Sequence, residues 1–309
     1  MPMKHADFVR VDVFAKKPFQ GNPLAVFPDA RGLSSRDMQA LAREMNLSET
    51  TFALPPRNRS ADARVRIFTP DAEIPYAGHP TIGTFFVLAR EGRIPVGEGK
   101  TVARMEAKAG VLPVEIFSRK GSIYRVVTVQ KKPVFGPEFR DVSLLADSLS
   151  LNVSDFDVRK APPQLVSTGL PWLIAPVKSR KALERISVDT TAFAKVVRKL
   201  PKGVVDVYAT AMDPVDPRAT SHSRGFSLVA GGVVEDPATG SASGCLGAYL
   251  VRRQLVDERT QTRMVNEQGF EIGRPSNISV EVRGTGAKGI ESVRVGGSVV
   301  EIMRGTATF

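Results

Sequence analysis

Proton transfer at carbon near neutral pH needs titratable side chains held beside a place where negative charge can collect. The sequence offers three candidates, Glu49, His79 and Asp236. His79 lies in Gly78-His79-Pro80-Thr81, a glycine- and proline-bearing turn that suits function better than a core position. His5 and His222 sit near polar segments and read as exposed. Glu49 follows a predicted helix and opens a predicted strand; the alternatives are a side chain facing a cleft and an ordinary surface carboxylate. Asp236 precedes a proline, so a structural Asp-Pro turn is open beside a chemical role.

Anion binding has its own signature. A helix N-terminus presents unpaired N–H groups and partial positive charge, so a small-residue turn entering a helix can cradle a carboxylate and stabilise an enolate-like intermediate. Ala77-Gly78-His79-Pro80-Thr81 and Glu235-Asp236-Pro237-Ala238-Thr239-Gly240-Ser241-Ala242 are two such turns. At Thr239 and Ser241, simple helix capping is equally available. Other chemistries fail on spacing. Gly284-Thr285-Gly286-Ala287-Lys288-Gly289 matches a dinucleotide fingerprint in letters, but a strand-like segment follows where a helix is needed, so it reads as a hairpin turn. There is no phosphate-loop lysine and no nucleophile-elbow serine, and the isolated histidines lack metal-ligand spacing; no metal or cofactor is expected. The single cysteine, Cys245, excludes an internal disulfide and a two-thiol mechanism, and its apolar surroundings read as core.

The positioning elements follow from periodicity. Phe8–Phe14 alternates as a half-buried strand, and Gln20-Gly21-Asn22-Pro23 is a turn. Ser34 and Ser35 can cap a helix carrying Met38, Leu41, Ala42 and Met45 on one face and ending near Asn46, before a strand over Leu47–Leu54. Thr81–Arg90 is apolar enough to be a buried helix, surrounded by strands at 65–68, 101–106, 111–117 and 122–130. In the second half, strands are expected at 172–177, 204–209, 277–283 and 291–303, and a helix at 189–199. Sliding the chain against itself by 158 positions superposes Arg66, Phe68, Thr69 and Thr81 on Arg224, Phe226, Ser227 and Thr239, and sets Gly78 opposite Asp236. Two similar halves are therefore expected in a chain of 309 residues, long enough for two domains.

Composition supports a folded protein, with 42% hydrophobic and 24% charged residues and no low-complexity tract. The formal charge of +11 is scattered in short groups such as Arg180-Lys181 and Arg252-Arg253, without a nucleic-acid-binding signature, so steering of a small anionic substrate is the expected role. With no membrane-spanning stretch and no signal-like start, a cytoplasmic location is expected and neither nucleic acid nor membrane is expected as a partner.

These residues carry a resemblance. Val11-Asp12-Val13-Phe14, Gln20-Gly21-Asn22-Pro23-Leu24-Ala25-Val26-Phe27, Met45-Asn46-Leu47-Ser48-Glu49-Thr50, Gly78-His79-Pro80-Thr81, the Glu235–Ala242 turn, Glu267-Gln268-Gly269 with Gly273-Arg274-Pro275-Ser276, and Val295-Gly296-Gly297 together resemble the phenazine-biosynthesis PhzF-like isomerases, of the diaminopimelate epimerase-like fold. The resemblance implies an α+β chain of two pseudo-symmetric domains, each a curled, mostly antiparallel sheet around a central helix, with residues 1–127 and 297–309 in one and 128–296 in the other. It implies an active site between them and a homodimer. It further implies a cofactor-independent isomerase with Glu49 as acid/base, His79 and Asp236 beside it, and Gly78, Thr239, Gly240, Ser241 and Asn22 contacting substrate. Gly78 and Asp236 resemble the positions where related epimerases carry cysteines. The segment Ser221–Ser227 departs from the family's usual Arg-Phe-Phe-Ala-Pro stretch. Trans-2,3-dihydro-3-hydroxyanthranilate, the substrate of the phenazine enzyme, is the natural first probe.

Overall fold

The computed structural model describes residues 3–257, 261–285 and 289–309. The chain divides into two compact units, Met1–Val129 with Gly296–Phe309, and Gln130–Val295.

In unit 1, β1 (His5–Val13) turns at Gly21 into β2 (Asn22–Phe27), which pairs antiparallel with it. Gly21 has φ +67, and a Cβ there would lie 2.1 Å from the Val13 carbonyl oxygen, so only glycine fits. Helix α1 (Ser35–Met45) starts at a capping box between Ser34 and Asp37 and stops at Asn46 in the left-handed conformation. Its buried residues Met38, Leu41 and Ala42 pack on Phe27, Phe52 and Phe68, each large side chain contributing roughly 1.5–3 kcal/mol by leaving water. The helix is the crossover that sets β3 (Thr50–Leu54) parallel to β2. Then follow β4 (Ala63–Phe68), the short β5 (Glu73–Ile74), helix α2 (Gly78–Arg90), and β6 (Gly99–Ala107), β7 (Gly110–Arg119) and β8 (Ser122–Gln130). The last strand of the chain pairs antiparallel with β1 from His5↔Thr308 to Val13↔Val299. Helix α2 is buried from His79 to Leu88, the central helix expected. Gly83 is needed there, because a Cβ would lie 2.5 Å from Leu24 and 2.9 Å from Val13.

Unit 2 repeats the plan. Its elements are β9 (Val134–Glu138), α3 (Val142–Leu149), β10 (Gln164–Ser167), β11 (Pro171–Pro176), α4 (Arg180–Glu184), α5 (Thr190–Lys199), β12 (Asp206–Ala211), β13 (Ser221–Val229), β14 (Gly232–Asp236), α6 (Gly240–Arg252), β15 (Gln261–Gln268), β16 (Ser276–Thr285) and β17 (Gly289–Gly297). As β2, β3, β4 and β6 do, β11 and β12 run parallel, β12 and β13 antiparallel, and β13 and β15 parallel. Helix α6 is buried through most of its length, and helices α3 to α5 cover the other face of β11–β13 through Leu149, Phe193, Val196, Val207 and Phe226.

Several expectations change. Residues 291–303 are not one strand: β17 ends at Gly297 and β18 (Val299–Thr308) begins after Ser298. Glu49 precedes β3 rather than lying within a strand, because Asn46 turns the chain only three residues earlier. Of the Gly284–Gly289 turn, Gly286–Lys288 lie outside the described residues; Thr285 ends β16 and Gly289 starts β17. Among the described residues no helix is long and apolar enough to cross a membrane.

His222, expected at the surface, is 1% exposed. Its Nδ1 lies 3.0 Å from Glu267 Oε2 and its Nε2 2.9 Å from Glu271 Oε1, while Glu267 also accepts the N–H groups of Val215 and Asp216. Burial alone would lower the imidazole pKa, but the two carboxylates outweigh it and raise it to about 9. A folded value above the ordinary 6.5 means that this stabilisation is complete below pH 6.5 and is lost as pH rises through about 9. Urea unfolding across that range should show falling stability, and His222→Gln should flatten the slope; a pH-independent midpoint in the wild type would contradict the buried ion pair.

Candidate active site

In unit 1 the α1 C-cap delivers the chain to β3, and Glu49 is the residue just before that strand. Side chains alternate along a strand, so Glu49 shares a face with Thr51, whose hydroxyl accepts a 2.8 Å hydrogen bond from Thr84 of α2. Glu49 therefore faces α2. His79, the second residue of that helix, sets its Nε2 3.3 Å from Glu49 Oε2. His79 is 7% exposed, and no aligned hydrogen bond is made through this nitrogen. Catalytic contacts are commonly loose before substrate arrives. Burial lowers the His79 pKa to about 3, so the ring is neutral at pH 7.

The start of α2 is open. Its N-cap, Ala77, has no side chain to close it, Pro80 has no N–H, and the Thr81 hydroxyl is spent on the Ala77 carbonyl at 2.8 Å. A Cβ on Gly78 would meet nothing within 4 Å, so there is room beside the first turn. Asn22 begins β2, is fully buried, and shares the α2-facing side with Leu24; the Ala25↔Thr50 register puts it at the same end of the sheet as Glu49. Unit 1 thus brings together Glu49, His79 and Gly78, with Asn22 on the same face.

In unit 2, Asp236 ends β14 and Thr239 is the N-cap of α6. Neither capping expectation holds. The Thr239 hydroxyl donates to the Asp236 carboxylate, and Ser241 Oγ accepts a 3.1 Å hydrogen bond from the Trp172 indole. Gln268 fixes the turn: its Oε1 accepts from Thr239 N at 2.9 Å and from Tyr208 OH at 2.7 Å, and its Nε2 donates to Asp236 O and Thr239 Oγ1. Asn266 joins Tyr208 and Ser243 to this network. Asp236, Thr239, Gly240 and Ser241 therefore occupy one braced turn. Trp172, Tyr208, Asn266 and Gln268 were missed by sequence reasoning as supports, although Asn266-Glu267-Gln268 is a polar run in a buried strand and so carried a signal.

The helix starts correct the repeat. Thr81 Oγ1 bonds the N-cap carbonyl of α2, and Ser243 Oγ that of α6 at 2.9 Å. Gly78 therefore corresponds to Gly240 and His79 to Ser241, and Gly78 does not stand opposite Asp236; the hairpin joining β13 to β14 is longer than the one joining β4 to β5. Cys245 is fully buried, and burial pushes its thiol up to about 11. Among the described residues no group of three or more His, Cys, Asp or Glu could hold a metal ion. A cavity of 520 Å³ lies at the far end of α2, lined by Phe86, Arg90, Ile94 and Ser118, away from Glu49 and His79.

The chain was compared with known proteins. The family model for phenazine biosynthesis-like proteins (PhzC-PhzF) matches residues 11–305. Trans-2,3-dihydro-3-hydroxyanthranilate isomerase of Pseudomonas aeruginosa is 37% identical over 97% of this chain and 98% of its own. The crystal structure of a Bacillus anthracis phenazine biosynthesis protein of the PhzF family aligns with a TM-score of 0.88 at 31% identity, covering 98% of this chain and 99% of that one. A hydroxyproline epimerase from Agrobacterium vitis shares the fold at 14% identity, with a TM-score of 0.67 over 100% of this chain and 92% of that one.

Gln268→Leu should remove one hydrogen bond each from the Thr239 N–H, the Thr239 hydroxyl, the Tyr208 hydroxyl and the Asp236 carbonyl and destabilise by about 3 kcal/mol. Urea unfolding measures it; a loss below about 1 kcal/mol would show that the network does not hold the turn.

Proposed function

Because this chain belongs to the phenazine biosynthesis-like family and is an isomerase of epimerase-like fold, we propose that it moves a proton between carbons of a small carboxylate-bearing substrate, with Glu49 as the acid/base. The observation that carries this reading is the pair of buried His79 and half-buried Glu49, 3.3 Å apart, at the open N-terminus of α2.

The Glu49 carboxylate removes a proton from a carbon adjacent to an unsaturated or carboxylate-bearing centre. The C–H electron pair passes into the conjugated system, so negative charge moves onto oxygen. N–H groups at the first turn of a helix suit that charge, since they and the helix dipole are oriented before reaction begins. Glu49, now protonated, returns the proton to a different carbon, and the double bond has moved. One proton leaves and one arrives, so the step is balanced without redox change. A neutral His79 beside Glu49 leaves the carboxylate its basicity; an imidazolium there would weaken the base.

The identity with dihydro-hydroxyanthranilate isomerases makes trans-2,3-dihydro-3-hydroxyanthranilate the first substrate to offer. Proton NMR in deuterated water should show isomerised product carrying deuterium at carbon. Glu49→Gln should cut that rate on the order of 10²–10⁴-fold while keeping the fold. Undiminished exchange in Glu49→Gln would remove Glu49 from the role. Saturable binding of this probe and of small unsaturated amino and hydroxy acids without turnover would favour a binding protein.

A further inference from the structure

The pairing registers identify a carboxylate that the sequence repeat did not. Arg66 grips Glu73 through two nitrogens, at 2.8 Å each, and sits over the Phe68 ring at 5.0 Å. Arg224 grips Glu235 in the same way, at 2.9 and 2.6 Å, and sits over Phe226 at 5.2 Å. These matched clamps equate Phe68 with Phe226. Phe68 pairs with Thr50, and Phe226 pairs with Val207. The parallel neighbours agree, Ala25 beside Thr50 and Leu173 beside Val207. The residues one position earlier are Glu49 and Asp206.

The surroundings of Asp206 follow from the same registers. Antiparallel partners share a face of the sheet. Asp206 pairs with Ser227, and Asp236 pairs with Gly225, two residues away on β13. Both carboxylates therefore lie on one face, diagonally across β13, with Ser227 beside Asp206 and Gly225 beside Asp236. Tyr208 shares that face, and a Cβ on Gly225 would meet Thr239 Oγ1 and Gln268 Nε2 at 3.1 Å each. This is the face on which the first turn of α6 rests, and from β11 it receives the uncharged Trp172. The cations of β13 are elsewhere. Arg224 is on the opposite face, held by Glu235 and the carbonyls of Leu183 and Ile186, and His222 lies there with Glu267 and Glu271. Burial first, then the charge of Asp236, outweigh a hydrogen bond from Ser227 and raise the Asp206 carboxyl to about 6.

We propose that Asp206 is a second proton-carrying residue of this isomerase, the unit 2 counterpart of Glu49, on the same sheet face as Asp236 at the start of α6. The proposal rests on the proton-transfer reading above. In the step, the Asp206 O–H bond breaks as its proton bonds to the substrate oxygen that gains negative charge when Glu49 takes the carbon-bound proton, and the same proton returns to the Asp206 carboxylate when Glu49 delivers its proton to the second carbon, so no net proton is gained. Burial, with the negative charge of Asp236 on the same face, keeps the Asp206 carboxyl protonated where an isolated aspartate would be ionised.

The test has one arm independent of turnover. In protein labelled with carboxyl-¹³C aspartate, one resonance should titrate near pH 6 and vanish in Asp206→Asn; if no aspartate titrates there, Asp206 holds no proton to give and the proposal fails. In the second arm, with trans-2,3-dihydro-3-hydroxyanthranilate, Asp206→Asn should lower kcat on the order of 10²-fold with little change in KM, and remove an ionisation near pH 6 from the kcat profile. Asp206→Glu should restore the ionisation and most of the rate. Unchanged rate and profile in Asp206→Asn, with exchange abolished in Glu49→Gln, would overturn the role of Asp206 alone. Wild-type exchange in Glu49→Gln would instead sink the reading on which it rests.

Discussion

Burying a helix inside a sheet creates the constraint on which the site depends. The first turn of any helix carries N–H groups with no partner within the helix, and away from water each must be matched or reserved for a ligand. Helices α2 and α6 are both buried, and neither N-cap closes its helix with a side chain. Thr81 and Ser243 serve the N-cap carbonyl instead, leaving the donors alone. Small residues let the sheets close around the helices: a Cβ on Gly247 would come within 2.6 Å of Val280, much as one on Gly83 would strike Leu24. The same packing that stabilises each unit therefore leaves polarised N–H groups where titratable side chains gather.

The units keep one frame and differ in what they place on it. The arginine clamps, the parallel and antiparallel registers and the hydroxyl three residues into each helix recur. On that frame unit 1 carries a carboxylate and a histidine, whereas unit 2 carries two aspartates and a turn braced by Gln268, Tyr208 and Asn266. Unit 2 has the longer hairpin, β13–β14 against β4–β5, and its Asp236 sits four residues ahead of Gly240, where unit 1 has Ile74 four residues ahead of Gly78. The cysteine lies inside α6 against Thr168, with its thiol held protonated by burial, so the ionisable chemistry of both turns belongs to oxygen and nitrogen.

Two histidines in this chain show how geometry outweighs burial. His79 and His222 are both buried, yet one is pushed down to about 3 and the other up to about 9. His222 lies between two carboxylates at hydrogen-bond distance, and their attraction exceeds the cost of desolvating the imidazolium. His79 meets one carboxylate without alignment, and desolvation dominates. The first becomes a structural cation that also anchors the Val215–Asp216 loop, and the second a neutral partner for a base.

Local chemistry made much of this legible in the sequence. The capping serine and αL asparagine bounded α1, apolar density marked α2 as buried, and glycine- and proline-bearing turns pointed to His79 and Asp236. Composition determined that two thiols could not act together. Tertiary structure decided the remainder, because each remaining question concerned partners far apart in the chain. Whether His222 was exposed depended on Glu267 and Glu271, and whether Thr239 capped its helix depended on Asp236 and Gln268. The correspondence of Asp206 with Glu49 depended on hydrogen-bond register, which a short insertion hides from a comparison of letters at fixed offset and which paired strands preserve, since each residue is held by its partner across the sheet.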